Sequence, residues 1–316
     1  MGMKQFQRRH WKYSFALLLS LSVGSLLTVS SAIAYQEVTV TDGGTITGKV
    51  TLKGNKPAPR GFNLVIFPDP VYCGRISNGR GFRLLKEFTI AEDRGLKDVL
   101  VMLTGIQRGK PFDFPVTRIE ARDCRFLPYI NVLRGVGKVE VVNMDPVMHD
   151  IQAYETSELG PRVLFNVPLP MNPHHPKTAG ANAEYHKHIP GESKTQEISM
   201  SKGRRIFVMQ CGFHAYMESF GYAVDNPYYA LTDQSGQFTI PDVPPGIYKL
   251  VAWHPQERSL VEQEITVTAK GSVTVNFEIQ SREGARAGME VEENPHFGLG
   301  ILGEKEIKPT LELQRP

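Results

Sequence analysis

Cys211-Gly212-Phe213-His214-Ala215-Tyr216-Met217 follows closely on the strand-like run Arg205-Ile206-Phe207-Val208-Met209. Within seven residues the chain offers a thiolate, an imidazole and a thioether, a soft-donor set that selects copper over hard cations. One thiolate, two imidazoles and a weak axial Met make an electron-transfer copper site, so the loop supplies three of four donors and a second His must come from elsewhere. The candidate is His149. It closes the segment Asn143-Met144-Asp145-Pro146-Val147-Met148-His149, which follows a short alternating strand at Lys138-Val139-Glu140-Val141-Val142. Taken alone, Cys211 also reads as a small buried hydrophobe and Met217 as core; a strand before each ligand segment is what favours the metal.

The pairing of N-x-D-P-x-x-H with C-x-x-H-x-x-M resembles the cupredoxins, and the loop spacing is most similar to their amicyanin-like members. The motifs span about Arg122 to Asp225, a third of the chain. The resemblance implies an eight-stranded Greek-key β-sandwich with one type 1 copper ion held by His149, Cys211, His214 and Met217. It also implies that His214 reaches the surface among Phe213, Ala215 and Tyr216 as the port to a redox protein partner. One departure stands beside the first His: plastocyanin-like members place Asn there, tying the two ligand segments together, and this chain has Asp150. Cys124-Arg125-Phe126-Leu127-Pro128-Tyr129 is similar to the F-x-P segment that precedes the first-His strand, with Phe126 in the core and Tyr129 either near the site or an ordinary strand aromatic.

Residues 1–34 carry Lys4, Arg8, Arg9 and Lys12, a short apolar stretch from Phe15 to Val29, and Ala32-Ile33-Ala34 before Tyr35. That is the pattern of a secretory signal peptide, predicting a periplasmic or otherwise exported protein that meets the membrane only if the segment stays uncleaved. Removing it takes the formal charge from +3 to −1, since four cations and no acidic residue leave. No basic run with interleaved aromatics appears, so nucleic acid is not an expected partner. Of the three Cys, one is odd; with Cys211 on a metal, Cys73 and Cys124 are left either to form a disulfide or to remain as two buried thiols or a second metal site.

The 29 Gly and 22 Pro over 316 residues point to many turns and an all-β fold. The cupredoxin-like copper domain is expected over 35–225. From Tyr228 the chain changes character: Thr232-Asp233-Gln234-Ser235-Gly236-Gln237-Phe238 and Pro244-Pro245-Gly246-Ile247-Tyr248 resemble the hairpin and turn of the carboxypeptidase-regulatory-like, or transthyretin-like, β-sandwich, placing a second, smaller sandwich at 226–280. Gly236 suits a positive-φ hairpin position. Gly44-Thr45-Ile46-Thr47-Gly48-Lys49-Val50 is similar to that sandwich's opening strand, so residues 43–67 are expected to pack with 228–280, the alternative being two sequential sandwiches. Val99-Leu100-Val101-Met102-Leu103 reads as a strand buried on both faces. The polar stretch with His174, His175, His186 and His188 is expected to be a solvated loop, with metal binding the alternative, His254 a structural imidazole, and residues 281–316 an extended or disordered tail.

No enzyme is expected. A multicopper oxidase needs several His-x-His pairs and only His186-Lys187-His188 supplies one, while a dinuclear copper centre needs two Cys in its loop. The competing functions are copper storage or delivery through the same four ligands, and a metal-free interaction module of the cell envelope.

Overall fold

The computed structural model describes residues 35–113, 116–156, 160–175, 188–257 and 260–281, with the backbone of two tail strands, Met289–Glu293 and Lys305–Pro309. The expected signal segment 1–34, His186 and the remainder of the tail lie outside the described residues. Among those described, no helix is long and apolar enough to cross a membrane.

The structure is all-β and holds two sandwiches. In the first, one sheet runs Ser193–Ser199, Val136–Asn143, Thr117–Ala121, Phe126–Leu127; the facing sheet runs Arg162–Leu169, His149–Glu155, Ile206–Gln210, Glu218–Val224, Ile130–Arg134. Nine strands are thus described where eight were expected, the short Phe126–Leu127 being two residues long. Side chains alternate across each strand, so every second residue faces inward. On His149–Glu155 the inward set is His149, Ile151, Ala153 and Glu155. On Ile206–Gln210 it is Phe207 and Met209, and the same alternation carries on to buried Cys211. These strands pair antiparallel with Gln152 opposite Gln210, which brings His149 and Cys211 to the same end of the interior. Below them Ile119, Val139, Val141, Ile151, Phe207 and Met209 are all at most 1% exposed, and burying each such side chain contributes about 1.5–3 kcal/mol.

The second sandwich is assembled from separated stretches of chain. One sheet is Tyr229–Leu231, Leu100–Thr104, Gly246–Trp253, Val261–Val267; the other is Gln237–Val243, Gly44–Lys53, Ser272–Thr274, with Phe277–Gln280 also along Gly44–Lys53. Gly48 explains itself by close approach: a Cβ there would lie 1.8 Å from the Val275 carbonyl oxygen and 2.8 Å from the Phe238 ring. The apolar run Val99–Leu103 sits in this sandwich, not in the first, so a boundary at 225/226 accounts for only its last stretch of chain. Residues 43–67 divide as well. Gly44–Lys53 pairs with the C-terminal strands, whereas Leu64, Phe62 and Phe67 pack against the first sandwich's core.

The sandwiches share a third apolar cluster, in which Ile130, Phe220, Tyr222 and Val224 of the first meet Leu100, Met102, Val251 and Trp253 of the second. The Tyr222 and Trp253 rings lie 5.2 Å apart. His254 follows, fully buried and stacked 4.7 Å from Phe88, a structural imidazole. In the tail, Met289–Glu293 pairs antiparallel with Lys305–Pro309.

Candidate metal centre

His149, Cys211 and His214 converge at one end of the first sandwich, with Nδ1 or Nε2 and Sγ atoms all within 4.8 Å of one another. Each is at most 1% exposed. The ligand loop closes on itself: Met217 N–H donates to the His214 carbonyl at 2.8 Å, and Cys211 N–H to the Met217 carbonyl at 3.2 Å. Met217 is fully buried in the same core cluster.

The imidazoles are held by their outer nitrogens. His149 Nε2 lies 2.9 Å from Asp145 Oδ2, and His214 Nε2 lies 3.1 Å from the Pro68 carbonyl oxygen. Both are acceptors only, so each Nε2 carries its proton and donates. The two Nδ1 atoms are left facing each other 3.2 Å apart, with Cys211 Sγ 3.6 Å from the His214 Nδ1. Two imidazole lone pairs at that separation repel unless a proton or a cation lies between them. The donors fit a metal: nitrogen and sulfur in a dry pocket, each ring fixed from behind by an acceptor, as metal-binding His residues are held. Burial, followed by the neighbouring His149, pushes the His214 pKa down, and burial pushes the Cys211 thiol up to about 12 against opposing backbone hydrogen bonds. Copper would have to displace the thiol proton to gain its thiolate.

Asp145 is the residue that sequence reasoning passed over. It is fully buried and accepts four hydrogen bonds: from Tyr72 Oη at 2.9 Å, Asp123 N at 2.8 Å, Cys124 N at 2.8 Å and His149 Nε2. Burial by itself would raise its pKa; the bonds from His149 and the two backbone N–H groups outweigh it and hold the carboxyl below its ordinary range. A signal was present, since Asp145 stands four residues before His149 in the quoted motif. Asp150 performs the tie expected of Asn, its Oδ1 accepting the Gly212 N–H at 2.5 Å.

His214 does not reach the surface. It is 0% exposed, covered by a lid running from the strand Gly61–Asn63 through the helix Pro70–Cys73 to the turn Gly74–Ile76. Phe67 packs edge-on against Tyr216 at 5.1 Å and Phe62 does so at 6.1 Å. Arg60, at the start of the lid, ion-pairs with Glu87 and Glu218. Cys73 is disulfide-bonded to Cys124, and its sulfur lies 3.8 Å from His214 Nε2. Tyr216 is buried too, leaving Phe213 exposed and Ala215 half-buried among the members of the expected port, while Ile66 and Val71 on the lid are 75% and 93% exposed.

The histidine stretch is likewise drawn in. His175 is buried with its ring 5.8 Å from Tyr72 and 5.3 Å from His188. His188 contacts Asp123 at 3.3 Å and the Met144 carbonyl at 3.2 Å. This corrects the solvated-loop expectation for His175 and His188; His174 stays exposed. Tyr129 packs on Phe220 at 5.4 Å and accepts a hydrogen bond from Gln256 at 3.0 Å, between the sandwiches.

Residues 223–280 match the carboxypeptidase regulatory-like domain family. No curated protein matches the chain. Among solved structures, a purple cupredoxin from Nitrosopumilus maritimus is similar at 15% identity with a TM-score of 0.24, covering 34% of this chain and 99% of that one. Amicyanin from Paracoccus versutus matches at 12% identity and a TM-score of 0.22, covering 39% of this chain and 97% of that one. A copper-containing nitrite reductase from Thermus scotoductus matches at 16% identity and a TM-score of 0.24, covering 36% and 24%.

Proposed function

We propose that the chain is an exported, non-enzymatic type 1 copper protein that passes single electrons to a redox protein partner. One observation carries the reading: two Nδ1 atoms 3.2 Å apart and a thiol sulfur 3.6 Å from one of them, with both outer ring nitrogens anchored. Copper held by His149, Cys211 and His214, with Met217 as a fourth, weaker donor, would supply one-electron oxidation and reduction. The protein's part is to keep the donors still. Asp145 and the Pro68 carbonyl fix both rings, Asp150 ties Gly212 to the first ligand strand, and the lid excludes water. His214 reaches the outside through its hydrogen bond to Pro68, so the docking face is the lid's outer surface, where Ile66 and Val71 are exposed.

The burial of all three donors also favours a second reading, copper storage or delivery. Loading the purified mature chain with copper separates the two. An intense thiolate-to-Cu(II) visible band that disappears in Cys211→Ser and His149→Ala supports electron transfer. Tight Cu(I) binding with no such band supports storage, and copper bound equally by all three proteins refutes the site. Met217→Leu should retain the band and raise the reduction potential; loss of copper from that variant would count against an axial role.

A further inference from the structure

Asp145 belongs to a second group of donors besides the pair it makes with His149. A carboxylate oxygen of Asp123, one of Asp145 and a ring nitrogen of His188 all lie within 4.8 Å of one another. They come from three separate stretches: the turn closed by Arg122 and Arg125, the loop that leads to His149, and the approach to the strand Ser193–Ser199. Asp145 is fully buried, but Asp123 and His188 keep 15% and 14% of their side-chain surface, so an ion reaches them from solvent.

His188 gives the group its chemistry. Its Nδ1 lies 3.2 Å from the Met144 carbonyl oxygen and its Nε2 3.3 Å from Asp123 Oδ2. Both of those oxygens are acceptors, and a neutral imidazole donates from one nitrogen only. With Nδ1–H on the carbonyl, Nε2 turns a lone pair toward a carboxylate, which calls for a second proton or a cation between them. A proton makes a charge-assisted bond of about 2.7–2.9 Å, shorter than the 3.3 Å found. A tetrahedral zinc ion with bonds of about 2.0–2.2 Å sets its ligands about 3.3–3.6 Å apart, and the contact matches that spacing. A carbonyl on the outer ring nitrogen is also how metal-binding His residues are fixed. One imidazole nitrogen with carboxylate oxygens suits zinc rather than the soft metal that Cys211 selects.

Two groups compete with the ion, and both can give way. Arg125 reaches Asp123 Oδ2 only at 3.4 Å, from a side chain 41% exposed that can turn to solvent. Asp145 already accepts four hydrogen bonds, yet the one from Tyr72 Oη comes from a hydroxyl, whose proton rotates. The other three come from N–H groups fixed in the backbone or a ring.

We infer that Asp123, Asp145 and His188 bind a zinc ion, with water in the fourth position, and that the ion pins the segment beginning at His188 to the turn at 122–125. The site shares no ligand with His149, Cys211 and His214, and the inference does not rest on copper.

The test is equilibrium dialysis of the full mature chain, prepared metal-free, against Zn²⁺, with Mg²⁺ as a hard-cation control and metal analysis as the readout. Zinc also suits His149, Cys211 and His214, so the result is read as a difference between variants. His188→Ala is expected to bind one zinc ion fewer per chain than the unaltered protein, Asp123→Asn to weaken that ion at least tenfold, and Cys211→Ser to retain it. An unchanged zinc count in His188→Ala overturns the proposal. So does Mg²⁺ held as tightly as Zn²⁺, which would mark a bare acidic site without the imidazole. Should His188→Ala fail to fold by circular dichroism, Asp123→Asn decides, since Asn tolerates the positive φ of 49° at that position: undiminished zinc affinity overturns the assignment and a tenfold loss supports it.

Discussion

Asp145→Asn is the change that tests the metal-centre geometry most directly, because it keeps the shape of the side chain while altering what it can accept. Asp145 Oδ1 receives Tyr72 Oη and Asp123 N, and Oδ2 receives Cys124 N and His149 Nε2. In Asn one of these oxygens becomes an NH2, so a pair of donors faces a donor. Hydrogen bonds to a charged group contribute about 1.5–3 kcal/mol each, so two lost bonds predict a destabilisation of about 3–6 kcal/mol. That is a large part of the roughly 5–15 kcal/mol that holds a domain folded. If the amide turns its NH2 toward His149, it donates to Nε2 and forces the ring proton onto Nδ1, the atom facing His214. Copper affinity should then fall by about 10–100-fold. Guanidinium unfolding followed by circular dichroism gives the first quantity and competition against a copper chelator the second. A loss under 1 kcal/mol with undiminished copper affinity would show that Asp145 does not hold the ring.

Replacing Cys73 and Cys124 together by Ser should cost about 4 kcal/mol on the chain-entropy estimate for a cross-link joining residues 51 apart, and should speed hydrogen exchange across Gly61–Ile76; unchanged exchange would mean the lid is held without the bridge. Glu155, buried and hydrogen-bonded by Arg162 and Ser201, is held at about 2. Its folded value lies below the unfolded one near 4.5, so its contribution is complete above about pH 4.5 and is lost as pH falls toward 2; Glu155→Gln should abolish that part of the acid-unfolding slope. Gly48→Ala should destabilise the second sandwich by about 1–3 kcal/mol or more, since its Cβ meets a backbone oxygen that cannot easily move, and a neutral result would refute the close approach.

Much of the site was legible because strand periodicity is a local rule. The alternation that puts Ile151 and Ala153 inside also puts His149 inside, and Phe207 and Met209 carry the same count to Cys211. The carboxypeptidase-regulatory-like turn at Pro244–Tyr248 was legible for a similar reason, as tight turns restrict residue type. The lid was not. Gly61–Ile76 is a three-residue strand, two short 3-10 turns and a four-residue helix, without enough length to show a period, and its place is fixed by Cys124, Asp145 and Glu218, all distant in sequence. For the same reason His214 was expected at the surface. Val99–Leu103 announced burial on both faces, yet a continuous apolar run does not say which sheet takes it.

The lid leaves the second sandwich after Lys53 and returns to it near Phe88, where Leu52 N–H bonds to the Arg94 carbonyl and Phe88 joins that sandwich's core. The roof over His149, Cys211 and His214 is therefore footed in a different body from the walls. A fragment trimmed to His149, Cys211, His214 and Met217 and their own two sheets would keep those side chains and lose Pro68, Tyr72 and the aromatic cover of Tyr216. It would expose His214 to bulk solvent, so the two sheets alone do not enclose the three donors. A substitution in the second sandwich's core at Leu52 or Phe88 therefore acts on the footings of that roof.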